Sequence, residues 1–440
     1  MTADTQTDAS LSASVYARAL KVLPGGVSRN TVLGVPHPLY ADHASGCRVT
    51  DIEGVERIDF ANNMASLIHG HANPDIIAAV TAQLHRGTAF TLATEVEVDF
   101  AEHMCRRSDS FEMLRFVNSG TEAVMAAVKA SRAYTGRSKI AKVEGAYHGQ
   151  YDYVEVSQTA NPSNWGSDRH PAGVPVAHGT PTGVLNDVVV IPFNDPEGAL
   201  AILDGHRYEL ACVLVDPMPH RVGLSPAEPD FVAALRDWTT RDGALLVFDE
   251  VITFRSEYGG AQTWYDDRPD LTAMGKLIGG GFPAGAVAGR RDVMEVMDPL
   301  AHRVLFPHSG TFSANPITMT AGLTAMELFD HDAVAAVNDL SMRAMEGIEA
   351  AIGRTDIDAC VTGGGSMFRV HLKKRPPRNY REAYADEREK AQLKVLLDHL
   401  EDAGFIMINT CSATISTPMG TDEIDALVNA MESGFEILVS

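Results

Sequence analysis

The alternation of apolar and polar residues divides the chain into three stretches. Before residue 66 the signals are short. Residues 14–22 have a helical period, which Leu23-Pro24-Gly25-Gly26 ends. Residues 47–51 and 56–60 alternate around Glu53-Gly54, as a β-hairpin does. The first ten residues carry no period and read as a frayed end.

From about residue 66 the texture changes. Helical patterns at 74–85 and 95–107 lead to the apolar run Met113–Val117. Ser119-Gly120-Thr121-Glu122 then opens a helix to about Tyr134, and Lys139–Val143 reads as a strand. Residues 158–185 are rich in Pro, Gly, Asn and His without a period, as functional or mobile loops are. Strands at 188–192, 212–215 and 244–248 follow, alternating with helices at 196–204 and 229–241. Strand–helix alternation predicts a mostly parallel sheet covered on both faces. Runs such as Cys212-Val213-Leu214-Val215 suit strands buried on both sides.

Beyond a Gly-rich segment and a strand-like run at 284–288, the chain is helical from about 315 to 352. A β pair flanks Gly363-Gly364-Gly365, and helices follow at 382–402 and 421–438. The two chain ends are therefore expected to form a second, α+β domain beside a central α/β one. No internal repeat or low-complexity tract interrupts this plan.

Composition narrows the function. The chain has 440 residues, 45% hydrophobic and 21% charged, which are the proportions of a globular protein. A net charge of −22 argues against nucleic acid and anionic membrane surfaces as partners. Five scattered cysteines, with no metal-ligand spacing, fit a reducing cytoplasm and no disulfide framework. The polar, acidic start is unlike a signal peptide, and no apolar run approaches the roughly 20 residues of a membrane span.

Four segments could carry chemistry. Asn118-Ser119-Gly120-Thr121-Glu122-Ala123 follows a buried strand and opens a helix. Free amides, a partial positive charge and two hydroxyls make that a phosphate cradle or, more plainly, an ordinary N-cap. Asp249-Glu250 ends a buried strand, where α/β sheets bind ligands and where a carboxylate can meet a cationic ligand group or form a structural ion pair. Lys276 lies among apolar residues and Gly279-Gly280-Gly281; desolvation would make its amine a nucleophile and base. An exposed loop lysine is the plainer reading, weakened because no other charge lies between Asp270 and Arg290. Tyr147-His148, after a strand, offers an aromatic face for a planar ring. Gly279, Gly281 and Ala284 also match a dinucleotide glycine pattern, but a strand-like run follows where a helix is required. Together the four segments suit pyridoxal 5′-phosphate, which needs a phosphate cradle, a stacking face, a carboxylate for its ring nitrogen and a lysine.

The chain resembles class III, fold-type I pyridoxal-phosphate aminotransferases, in the branch of glutamate-1-semialdehyde aminomutase and the β-amino-acid aminotransferases. The resemblance rests on Leu23 to Gly26, Asn118 to Ala123, Gly145 to Gly149, Gly243 to Val251, Tyr258 to Gln262, Pro269 to Gly281 and His308 to Phe312. It implies a central, mostly parallel seven-stranded sheet in a large domain at 66–325. Residues 1–65 and 326–440 would form the small α+β domain. It implies that Lys276 holds the cofactor as a Schiff base and moves the proton. Asp249 would pair with the ring nitrogen, and Ser119, Gly120 and Thr121 would bind the phosphate. Tyr147 and Val251 would sandwich the ring, with His148 beside them. Thr311 would reach the phosphate in a neighbouring subunit, so a homodimer with shared sites is implied. Arg29 would anchor a substrate carboxylate.

Departures bear on the reaction. The aminomutase pattern has a Glu in the segment that aligns with Ile408-Asn409-Thr410-Cys411-Ser412-Ala413, and β-phenylalanine enzymes have an Arg nearby; this chain has neither. The aminomutases' N-terminal Asn-Ser-Pro-Val-Arg signature and a Gly between Thr253 and Phe254 are missing, and Asp216-Pro217 replaces Glu-Pro. The expected activity is ping-pong transfer of an amino group from an amino acid (α or β) or an amine to an oxo acid. A glutamate-1-semialdehyde-type aminomutase or an amino-acid epimerase is the alternative on the same scaffold. A nucleotide-dependent oxidoreductase and a catalytically silent binding protein are the readings from other classes.

Overall fold

The structure, a computed structural model, describes residues 10–440. The expected frayed start lies outside them except for Ser10. That residue caps helix Leu11–Ala19 by accepting from the Ala13 amide at 3.1 Å, so the helix starts earlier than its period suggests.

Seven strands form the central sheet: β1 (Met113–Val117), β2 (Lys139–Val143), β3 (Val188–Ile191), β4 (Leu210–Val215), β5 (Leu245–Asp249), β6 (Leu271–Gly275) and β7 (Gly285–Gly289). Their spatial order is β1-β7-β6-β5-β4-β2-β3. Only β7 runs antiparallel to its neighbours. Every residue of β3, β4, β5, β6 and β7 is buried, as expected of strands covered on both faces. On one face helix Gly120–Thr135 packs Val124, Ala127 and Val128 against Ile140, Leu214 and Val247. On the other, Phe231, Leu235 and Trp238 of helix Pro229–Asp242 pack against Val213, Leu246 and Phe248.

Because β1, β2, β4, β5 and β6 point the same way, their carboxyl ends share one edge. The residues that follow these strands are Asn118, Glu144, Asp216, Glu250 and Lys276. Parallel sheets bind ligands at that edge.

The chain ends meet in further sheets. Strand Phe405–Ile406 pairs in parallel with Glu56–Asp59, which forms a hairpin with Arg48–Asp51. Cys360–Gly364, Met367–His371 and Ser412–Thr414 form an antiparallel sheet.

Four local expectations need correction. The helix expected at 382–402 is a short helical turn at Tyr380–Ala383 and a separate helix Glu387–Asp402 that Asp386 caps. The helical span at 315–352 is two helices, Pro316–Leu328 and His331–Thr355. Phe329 leaves the helix at ψ 63°, and Asp330 caps the next one through the Ala333 amide. Strand Ala41–Ser45 is an extra edge strand whose mostly exposed residues give no apolar alternation. Within 158–185 the backbone forms the short pair Gly166–Ser167 and His170–Pro171 and the helix Thr182–Asn186.

Candidate active site

The cradle is built by one helix start. Ser119 is the N-cap of Gly120–Thr135, and its Oγ accepts from the Glu122 amide at 3.1 Å. Glu122 turns back to accept from the Asn118 amide at 2.7 Å, which closes the entry turn. The first amides of the helix, Gly120 and Thr121, have no carbonyl one turn behind them and point outward as anion donors. Glycines let other elements reach this point. A Cβ on Gly120 would stand 2.7 Å from the Val251 side chain, and one on Gly149 would stand 2.5 Å from the Thr121 hydroxyl. The structure therefore brings Ser119, Gly120, Thr121, Gly149 and Val251 together.

Asp249 ends β5 and is 3% exposed. His148 Nδ1 donates to its Oδ2 at 2.7 Å, and the Val251 amide donates to Oδ1 at 3.0 Å. Burial pushes the imidazole of His148 below its ordinary range despite Asp249, with Lys142 adding to the effect. A neutral ring leaves Nδ1–H as the donor and Nε2 as a buried nitrogen with no partner.

Lys276 follows β6 directly, with φ at 52° in the left-handed region. Strain of that kind costs on the order of 1–3 kcal/mol and clusters at functional sites. Its side chain is half-buried. Burial lowers its amine to about 8, against the pull of Asp249 and Asp216 and with the repulsion of Arg255. At that value about a tenth of the amine is unprotonated at pH 7, far more than for an ordinary lysine, and the unprotonated form is the nucleophile.

Asp216 follows β4 and is 4% exposed. Burial and then Asp249 push its carboxyl well above the usual range, although the Met218 amide donates to it at 2.9 Å. Three adjacent strands thus deliver Asp216, Asp249 and Lys276 to one place, and the sequence marked Asp216 only as a departure from a motif. Glu250 turns away from the site. It accepts from the Ala261 and Gln262 amides at 2.6 and 3.0 Å and braces that turn.

The remaining residues from sequence are placed less centrally. Tyr147 is 44% exposed, with the Arg221 guanidinium 5.3 Å from its ring centre. Arg29 is exposed and donates to Asn63 Oδ1 at 2.6 Å. Asn63 belongs to Asn62–Ala65, four consecutive residues in the left-handed region. That run is pinned by Asn62 Nδ2 on the Thr414 carbonyl at 2.8 Å and by Arg255 Nη1 on the Ala65 carbonyl at 3.3 Å. Thr311 is exposed, and in its turn Ser313 Oγ accepts from Asn118 Nδ2 of the cradle at 3.5 Å. Sequence reasoning missed His148 as the partner of Asp249, and also His220, Arg255 and Arg369. Only tertiary contacts reveal these, since each lies far along the chain from what it touches. No group of three or more His, Cys, Asp or Glu among the described residues could hold a metal ion.

Comparison with known proteins matches residues 32–433 to the model of the family "Aminotransferase class-III". A glutamate-1-semialdehyde 2,1-aminomutase from Methanothermobacter thermautotrophicus is 38% identical over 84% of this chain and 86% of its own length. An omega-transaminase from Sphaerobacter thermophilus superposes with a TM-score of 0.96, at 45% identity over 99% of each chain. A structure described as a transaminase with PLP bound gives 0.89, at 43% identity over 97% of each chain.

Proposed function

Since the chain belongs to the class-III aminotransferase family, we propose that it transfers an amino group from an α- or β-amino acid or an amine to an oxo acid in two ping-pong half-reactions. The observation that carries this reading is the meeting of Lys276, Asp249 and the Gly120 helix start at one sheet edge. Its cofactor is pyridoxal 5′-phosphate. The site fits that group: a glycine-lined helix start for the phosphate, a carboxylate braced on both oxygens, and a half-buried amine.

When bound, the cofactor supplies a carbonyl for amines and an electron-poor ring. In our reading Lys276 Nζ would hold the cofactor by condensing with that carbonyl, with release of water. With substrate in the site, Lys276 Nζ would be the base that accepts the proton from the substrate carbon and the acid that delivers the same proton back to the substrate–cofactor pair. Asp249, oriented by His148 and Val251, holds the ring nitrogen protonated. Ser119 Oγ and the Gly120 and Thr121 amides bind the phosphate. Tyr147 and Val251 bound the ring, and Arg29 receives a carboxylate. We also read residues 66–325 as the large domain, with 1–65 and 326–440 as the small one. Thr311 would act in a second copy's site. The exposed apolar residues Leu300, Leu305 and Phe312, which lie in the same stretch of chain, support a covered homodimer face. Five unpaired cysteines support a reducing, cytoplasmic setting.

The names of the curated relatives favour aminomutase chemistry as a second reading. Higher identity to the two transaminases and the uncharged Ile408–Ala413 stretch support transfer instead. The test is single turnover of the holoenzyme with an amino acid. Transfer releases one oxo product per site and then requires an oxo acid to continue. Isomerised or epimerised substrate, with no oxo product, contradicts it.

A further inference from the structure

Among the described residues, Arg369 has no carboxylate partner. It lies in strand Met367–His371, 8% exposed, between Thr362 and Ser412 on the flanking strands. Its Nη1 donates to the His220 carbonyl at 3.2 Å, while its Nε is buried with no partner. Among the described residues, the acid-capable group that supports its charge is the Cys411 thiol, itself pushed up to about 12 by burial. A buried guanidinium with idle donors is costly unless an anion arrives.

The surroundings show where an anion would come from. His220 Nε2 pairs with Thr410 Oγ1 at 3.0 Å, and Thr410 pairs with Ser412 at 2.9 Å. Burial and Arg369, then Lys276 and Arg221, hold His220 down to about 3. His220 sits four residues beyond Asp216, on the segment that leaves β4 at the edge where Lys276 follows β6. Two residues along the same strand as Arg369, His371 is also held near 3 by burial and by the same arginine. His220, Thr410 and Ser412, beside Arg369, are polar and carry no negative charge. Thr410 lies in the stretch that carries no Glu or Arg.

We propose that Arg369 is a specificity-determining residue: its Nε and outer nitrogen receive a substrate carboxylate that lies along the His220–Thr410 wall, while the reacting carbon faces Lys276. The proposal rests on the amino-transfer reading and adds a second carboxylate site to the one assigned to Arg29. Substrates with a carboxylate at this position are then favoured over simple amines and aldehydes.

The test uses glutarate, a dicarboxylate with no reacting group, and 1,5-pentanediol, its uncharged counterpart. Both are titrated into the holoenzyme by calorimetry. The unmutated protein is expected to bind glutarate and not the diol. Arg369→Gln is expected to weaken glutarate at least about tenfold, the scale of a lost charged hydrogen bond, and Arg369→Lys to fall between. Failure of the unmutated protein to bind glutarate, or equal binding by Arg369→Gln, overturns the proposal. In turnover, Arg369→Gln should raise KM for 2-oxoglutarate about tenfold and leave kcat/KM for benzaldehyde within about threefold; equal losses on both would contradict it. An unmutated enzyme that binds glutarate but transfers no amino group would instead defeat the amino-transfer reading alone.

Discussion

Gly275 meets Gly120 backbone to backbone: a Cβ added to Gly275 would stand 3.2 Å from both the amide nitrogen and the Cα of Gly120. Strand β6 thereby sets the distance between Lys276, its next residue, and the first amides of the helix. Gly275→Ala leaves the extended backbone at φ −173° unstrained, so the cost falls on that spacing. We expect cofactor affinity to fall about tenfold, with thermal stability lowered only slightly. The nearby Gly285→Ala would place its Cβ 2.2 Å from the Ser119 carbonyl and should destabilise the fold itself by roughly 1–3 kcal/mol. Cofactor titration and thermal melts of the two variants separate these effects.

His148 is the only side chain among the described residues that donates to Asp249. Removing it in His148→Ala leaves a buried carboxylate oxygen short of a donor, a loss of about 1–3 kcal/mol. Turnover should fall roughly tenfold to a hundredfold with KM much less affected. His148→Gln, which keeps a side-chain N–H, should recover part of the loss. Steady-state kinetics on the two variants decide it.

The lowered Lys276 amine gives a pH signature. Only the unprotonated amine attacks the cofactor carbonyl, so capture of pyridoxal phosphate by the apoenzyme should accelerate as pH rises through about 8. An ordinary lysine would place that rise near 10.4. Stopped-flow absorbance across pH 6–10 reads the midpoint. Asp216→Asn removes one of the charges that favour the protonated amine and should move the midpoint down.

His371 gives an acid-stability signature. It is 4% exposed, its Nε2 lies 3.0 Å from the Gly223 carbonyl, and it is held near 3. The folded value lies below the unfolded one of about 6.5, so the unfolded chain gains the proton first. Its contribution is complete above pH 6.5 and shrinks as pH falls toward 3, by about 1.4 kcal/mol per pH unit. Between pH 6 and 4 the stability of His371→Asn should fall less steeply than that of the unmutated protein. Denaturant melts at four pH values measure the difference.

The sheet was legible where burial is continuous. The strands Met113–Val117 and Lys139–Val143 match their expected bounds because each runs into the buried sheet and ends at a turn, Asn118-Ser119-Gly120 or Glu144-Gly145. Leu271–Gly275 escaped as a strand, since Thr, Ala and Gly dilute its apolar signal, and yet it carries Lys276 into place. Ala41–Ser45 has no buried face and so left no pattern. The four segments singled out from sequence do converge at one edge, because parallel strands put all their carboxyl ends on the same side. What stayed hidden depends on long-range contact: the His148–Asp249 pair, the left-handed run at Asn62–Ala65, and Arg255, whose Nε donates to Ser366 at 2.8 Å, 111 residues away. No local period encodes such contacts.

The central claim is that Lys276 is the covalent attachment point at this edge. Borohydride reduction of the purified holoenzyme, followed by peptide mapping, tests it most directly. The account predicts a yellow protein that bleaches on reduction, with one pyridoxyl group per chain on the peptide containing Lys276 and none in Lys276→Ala. A label on another lysine, or a protein that takes up no pyridoxal phosphate, would contradict it.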